Sequence, residues 1–344
     1  LSAFTTKTAV YVLLVGFPGE EVLLWFGLYM VFYGIIYALL ENDIRRILAY
    51  SIVNQVGFMV VGIGIGTEMA LNGTAAHAFT HIIYKALLLM SAGAVVHQTG
   101  KRKCSELGGL FQSMPMTTLC GIIGALAISG FPLTSGFISK SMISQAAGDQ
   151  YLAFIWFALV AASAGVFLHA GIKFPWFVFF QKDSGLRPPD PPWNMRWAMY
   201  LFAFLCIAIG VYPAPLYAML PYPVDYAPYT MGHVAFQLQL LLFSGLAFFV
   251  MLPQMRRTLT ITLDMDWFFR RLGRQAALAV GAMIGRADRA ARRAVLDGLD
   301  AAILTVRRYC GPDGILARSR STGAATLWVA VLLGISLVIY YARG

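Results

Sequence analysis

Long uninterrupted apolar runs, not alternation of apolar and polar positions, dominate this chain. Nine segments (1–17, 21–40, 47–66, 74–98, 115–147, 151–175, 196–219, 230–252 and 323–341) meet or approach the length of a membrane-crossing helix. A bilayer core about 30 Å thick needs about 20 apolar residues per helical span. A transmembrane β-barrel would alternate with period two, and these runs do not. The pattern therefore predicts an all-α integral membrane protein with about nine transmembrane helices. The run 115–147 is long for one span and carries Ser129-Gly130-Phe131-Pro132-Leu133-Thr134-Ser135-Gly136 in its middle. Proline removes a backbone donor and glycine weakens helical continuity. The expectation is one broken helix, two half-helices joined by unwound backbone, crossing once. The alternative is two short spans joined by a turn.

Composition agrees: of 344 residues, 59% are hydrophobic and 12% charged, against about 25% charged in an ordinary soluble domain. The chain starts at Leu1, with no charged segment ahead of its first apolar run and no small-residue cleavage site. That run does not read as a signal peptide, and the sequence is expected to be part of a longer parent. The four cysteines, Cys104, Cys120, Cys206 and Cys310, form no C-x-x-C pair, which disfavours a metal site and a disulfide framework. No glycine-rich nucleotide loop or redox-cofactor motif is present in the sequence, so no cofactor and no metal are expected.

The net charge of +10 invites a nucleic-acid reading, but the charges are sorted by loop. With one crossing per segment, one set of loops holds Arg45, Arg46, Lys101, Arg102, Lys103, Lys182, Arg187 and Arg196, then thirteen arginines between 256 and 320. The other set (18–20, 67–73, 148–150 and 220–229) has no Lys or Arg, only Glu20, Glu68, Asp149 and Asp225. This is the positive-inside pattern. It predicts a multi-pass protein of the cell inner (plasma) membrane with basic loops in the cytoplasm, embedded in lipid and binding no nucleic acid. Two crossings in 115–147 would reverse the later loops. Within 256–320, Val295, Leu299, Ile303 and Val306 fall along one side of a helix, and Arg286, Arg289 and Arg293 along another. An amphipathic cytoplasmic helix on the membrane surface is expected, with packing on a neighbouring subunit as the alternative. Residues 187–193 read as a stiff proline-rich connector.

A charge at bilayer depth costs about 2.5–3.5 kcal/mol on insertion scales, so ionisable residues inside the spans point to function. Lys7, Lys85 and Lys140 stand out. His77, His81 and Lys85, at i, i+4 and i+8, project from nearly one helix face. Their titratable groups are about 6 Å apart along the axis, a gap that one or two waters bridge. Histidine donates on one nitrogen and accepts on the other, so the row can relay a proton, with Ser139 beside Lys140 in a supporting place. The plain alternatives are a Lys7 that snorkels to the surface and histidines that only hold helices together, as His97, His169 and His233 are expected to do. Lys173 reads as a topology anchor. Asp43, with Arg45 near it, either serves the relay or merely starts the third span. Asn54 and Gln55 read as interhelical hydrogen bonders.

Three ordered stretches, ENDIRRILAYSIVNQVGFM (41–59), HAFTHIIYKALLLMSAGAV (77–95) and GFPLTSGFISKSMI (130–143), resemble the antiporter-like subunits shared by Mrp-type Na+/H+ antiporters and the membrane arm of complex I, NADH-quinone oxidoreductase. The resemblance covers about residues 1–180. SAFTTKTAVYVLL (2–14) and LDMDWFFRRLGR (263–274) look most like the D-type subunit of the Mrp antiporters, in its C-terminal part. The resemblance implies a fold of about fourteen helices with two inverted five-helix repeats, each with a broken helix and a half-channel. Residues 1–180 would be the second half-channel, 181–252 additional transmembrane helices, 253–322 a basic amphipathic segment and 323–344 a final transmembrane helix. It implies that Lys140 ends the second half-channel, that Lys85, His81 and His77 are its relay, that Lys7 links the two half-channels, and that Asp43 and Arg45 match an acidic and a basic family position. The family's first half, with its glutamate and first broken-helix lysine, has no counterpart in these residues.

The implied function is translocation of protons and a monovalent cation, Na+, as one subunit of a multi-subunit Mrp-type antiporter, without a redox centre of its own. The alternatives are a proton-pumping subunit of a complex I-like enzyme or membrane-bound hydrogenase, and a structural subunit that transports nothing. In each case the partners are other subunits of a hetero-oligomer.

Overall fold

A computed structural model describes residues 2–254, 267–316, 318–319 and 321–343. Helices α1 (Thr5–Gly16), α2 (Glu21–Leu40), α3 (Ile44–Ile65), α4 (Glu68–Thr99), α5 (Pro115–Ser129), α6 (Ser135–Asp149), α7 (Ala153–Val166), α8 (Trp193–Val211), α9 (Ala214–Tyr217), α10 (Met231–Met251), α11 (Arg274–Cys310) and α12 (Thr322–Ala342) follow in order. Among the described residues, seven helices are long and apolar enough to cross a membrane. One of them runs from α7 through wider π-type turns to Phe180, over Ala153–Phe180. The first apolar segment, 1–17, yields only the 12-residue α1, about 18 Å long.

The chain forms two units, Leu1–Thr262 and Leu263–Gly344. In the first, α2 and α3 pack antiparallel with their backbones nearly touching. A Cβ on Gly27 would lie 2.7 Å from Val61 N, and one on Gly34 2.6 Å from Asn54 N. Such contact is how apolar helices gain packing energy in lipid, where no hydrophobic force drives them together. Asn54 completes the pair by donating to Val31 O at 3.0 Å, as expected of an interhelical hydrogen bonder.

The segment 115–147 is indeed broken, and α4 shows how it crosses. Near the end of α4, Ser91 donates to Thr117 O at 3.2 Å; further back, Leu88 faces Gly124. Past the break, Ser139 meets His77 at 2.9 Å, and Ile143 lies against Gly73. Increasing numbers along α5–α6 thus meet decreasing numbers along α4. The two half-helices make one traverse antiparallel to α4, not a hairpin of two.

One traverse puts the charge-sorted loops at opposite ends. At the basic end, Ile44 N donates to Arg102 O at 2.9 Å and Cys104 N to Asn42 O at 2.8 Å, and Gln181 Nε2 donates to Leu107 O at 2.6 Å. At the acidic end, Gly19 N donates to Ile63 O at 2.9 Å and Asn72 Nδ2 to Tyr222 O at 3.0 Å. The proline-rich connector does more than span a gap: Asp190 accepts from Met116 N at 3.2 Å and from Thr117 N at 3.0 Å, capping α5.

In the second unit, α11 is a 37-residue helix with no buried residue. It carries the predicted apolar side and the arginines, among them Arg292 paired with Asp288 at 2.9 Å. Residues 255–266, which include the start of the basic segment and Leu263–Asp266 of the Mrp-like stretch 263–274, lie outside the described residues, as do Leu1, Ala317, Arg320 and Gly344.

Candidate functional site

α4 begins at the acidic end with Thr67 as its cap, the hydroxyl accepting from Ala70 N at 3.3 Å. At about 1.5 Å per residue, His81 is about 20 Å along the helix from Glu68, near the middle of the 32-residue α4. His77, His81 and Lys85 are completely buried, and the two imidazole centroids are 6.3 Å apart, matching the spacing expected from helical rise.

Three other helices reach this row. From α1, Lys7 Nζ bonds His81 Nδ1. An ammonium has no lone pair, so the imidazole accepts and its own proton sits on Nε2, an atom without a hydrogen-bond partner among the described residues. Lys7 therefore faces the α4 row and does not snorkel to a loop. From α3, Gln55 Oε1 meets His77 Nε2 at 3.2 Å and accepts from Tyr84 OH at 2.9 Å. A carbonyl oxygen can only accept, which assigns the His77 proton to Nε2 and leaves Nδ1 to accept from Ser139 Oγ on α6 at 2.9 Å. Ser139 also meets Thr80 Oγ1 at 3.1 Å. Lys85 Nζ has no hydrogen-bond partner among the described residues.

Lys140 follows Ser139 but faces the break. α5 ends at Ser129, and a helix end leaves its last carbonyls without intrahelical partners. Leu126 O and Ala127 O are taken up by Phe131 N and Gly130 N, both at 3.1 Å. Ile128 O accepts from Lys140 Nζ at 2.6 Å, and Ser129 O from Gln237 Nε2 of α10 at 3.1 Å. The ammonium thus sits at the negative end of a half-helix dipole, with the Phe58 ring centroid 5.1 Å from Nζ. No carboxylate pairs with Lys7, Lys85 or Lys140 among the described residues.

Asp43 and Arg45 are not brought to this cluster. Asp43 caps α3 at the basic end, accepting from Arg45 N at 2.9 Å, and pairs with Arg102 at 2.9 Å. The exposed Arg45 side chain lies at the same end. Lys173, expected at a helix end as an anchor, is instead fully buried. Its Nζ donates to Ala38 O at 2.5 Å, Leu39 O at 2.8 Å and Glu41 O at 2.7 Å, closing the end of α2. His169 bonds within its own helix, to Gly165 O at 2.8 Å, and its Nε2 is buried without a partner among the described residues. His233 does join two helices, Nε2 meeting Gln145 Oε1 at 3.1 Å. His97 is exposed near the end of α4.

Sequence reasoning passed over Tyr84, Gln55, Phe58 and Gln237 as parts of the cluster. Tyr84 was within reach, because position 84 is seven residues from His77 and shares its face. The others enter through tertiary contacts only. No group of three or more His, Cys, Asp or Glu that could hold a metal occurs among the described residues.

Comparison with known proteins shows what the segment holding this cluster is similar to. The chain is 31% identical over 227 residues to the A/B subunit of a probable K(+)/H(+) antiporter from Rhizobium meliloti (strain 1021), a match covering 62% of this chain and 23% of that protein. It is 37% identical over 153 residues to the D subunit of the Na(+)/H(+) antiporter from Alkalihalophilus pseudofirmus, covering 44% of this chain and 30% of that one. The chain thus spans less than a third of the length of these two relatives. In fold it is similar to a chain of the membrane-bound sulfane sulfur reductase, an archaeal respiratory membrane complex, with a TM-score of 0.57 at 23% identity over 92% of this chain and 56% of that one. Residues 1–165, which hold α1 to α6 and every residue of the cluster except Gln237, match the family described as NADH:quinone oxidoreductase/Mrp antiporter, TM.

Proposed function

We propose that this chain carries protons along the cluster as part of a multi-subunit Na+/H+ or K+/H+ antiporter. Supporting this is one observation above the rest: α1, α3 and α6 all reach the row on α4 through bonds to its buried histidines, near the middle of that helix. A lysine without a carboxylate partner is costly to keep charged there, so its charge responds to neighbouring charges, and a proton taken up at one end favours release at the other. Lys7 receives or delivers at His81; Ser139 joins His77 to the region of Lys140; Lys140 is the terminal group at the broken helix. Asp43 and Arg45 shape the basic end in this reading. The basic loops and α11 face the cytoplasm of the cell membrane, by the charge rule.

The second reading is a proton-pumping subunit of a respiratory complex, and the family description covers both. The same side chains would serve either. The two part on the energy source. The complete assembly, purified with its partner subunits and reconstituted into vesicles, should exchange Na+ or K+ for protons with no electron donor. Ion movement that requires an electron donor would overturn the antiporter reading in favour of the second.

A further inference from the structure

A cavity of about 160 Å³ opens beside Lys140, between α6, α7 and α10. It has room for several waters, each needing roughly 10–15 Å³ of such space. Lys140, Ser144 and Gln145 of α6, Ser163 of α7, and His233 and Gln237 of α10 give it polar walls. At its inner end Lys140 and Gln237 share the two free carbonyls of the α5 terminus. At its outer end His233 Nε2 meets Gln145 Oε1 at 3.1 Å, and Gln145 Nε2 donates to Asp149 Oδ1 at 2.7 Å. Asp149 ends α6 at the acidic face, and nine residues separate it from Lys140, about 14 Å of helix.

We propose that this cavity is the aqueous exit of Lys140 and that His233, on a helix outside the family segment, is the relay residue that closes it. This rests on the reading of Lys140 as the terminal group. Because Gln145 Oε1 only accepts, neutral His233 carries its proton on Nε2 and has a free lone pair on Nδ1. That Nδ1 is buried with no hydrogen-bond partner among the described residues, in a side chain lining the cavity. A proton leaving Lys140 Nζ passes through cavity water to His233 Nδ1; Lys140 becomes neutral and His233 an imidazolium. The imidazolium then returns one proton to water at the acidic face and is neutral again. The groups facing His233 suit the transfer. Lys140 repels a second positive charge, Asp149 draws one through Gln145, and Tyr226 stacks on the ring with centroids 5.8 Å apart. The cavity wall from α7 has no titratable group.

Two measurements on the complete assembly test this. His233→Gln retains an amide donor for Gln145 but cannot titrate. Transport should fall about a hundredfold, the lower part of the range for a positioned proton-transfer group. A wild-type rate in assembled His233→Gln would overturn the proposal. Independently, Ser144→Cys, with Cys310→Ser in the background, should react with a water-soluble thiol reagent from the acidic-loop side only. Reaction from the basic-loop side, or from neither, would overturn the cavity as the exit. Failure of the Lys140 reading itself appears elsewhere, as wild-type transport by Lys140→Ala, so the two ideas fall separately.

Discussion

Lys7 and His81, 74 positions apart, share a hydrogen bond between the first helix and the fourth. The bond orients the imidazole and holds a cation beside a row of buried bases. If Lys7 feeds that row, Lys7→Gln keeps a hydrogen-bond donor of similar length and removes the charge. Transport by the assembled complex should then drop about a hundredfold, the lower part of the range for a positioned proton-transfer group. Vesicle flux measurements at matched complex content check it, and an unchanged rate would return Lys7 to a packing role.

The break between α5 and α6 depends on how closely the two half-helices approach. A Cβ on Gly136 would run into the Ala127 carbonyl oxygen, and backbone cannot step aside as a flexible side chain can. Gly136→Ala should cost about 1–3 kcal/mol, as overpacking does, seen as a lower melting temperature and lower yield of the complex. A wild-type melting curve would mean that the half-helices are further apart than described.

Asp190 makes a different kind of contribution. Its carboxylate caps α5 from a loop 73 residues away and also accepts from Thr117 Oγ1 at 2.7 Å. Asp190→Ala should destabilise the protein by about 1 kcal/mol, a typical loss for a helix cap, while transport per assembled complex stays at the wild-type rate. Thermal unfolding and flux, measured on the same preparation, separate the two effects.

Sidedness follows from the single traverse of α5–α6. Lys101→Cys and the native, exposed Cys310 should both react with an impermeant thiol reagent only from the cytoplasmic face, and Asp149→Cys only from the outer face. Reaction of Cys310 from outside intact cells would reverse the proposed orientation.

Much of this arrangement was legible in the sequence because it is local. The i, i+4, i+8 spacing put His77, His81 and Lys85 on one face, and Gly130-Phe131-Pro132 marked the break with Lys140 just beyond it. The contacts that give these groups partners are not local. Gln237 reaches Ser129 across 108 positions and His233 reaches Gln145 across 88, and neither is marked by spacing. Lys173 reads in sequence as a topology anchor because it lies near a helix end. Its burial follows from the free carbonyls at the end of α2, which only the packing of α7 against α2 reveals. Asp43 carried two readings in sequence, and its place as the α3 cap, bonded to Arg45 N and Arg102, puts it at the basic end.

The central claim is that the buried row ending at Lys140 conducts protons, and Lys140→Ala in the fully assembled, reconstituted complex tests it most directly. Proton-coupled cation flux should fall to the level of protein-free vesicles while the subunits still co-purify; flux at the wild-type rate from the same assembled variant would contradict the account.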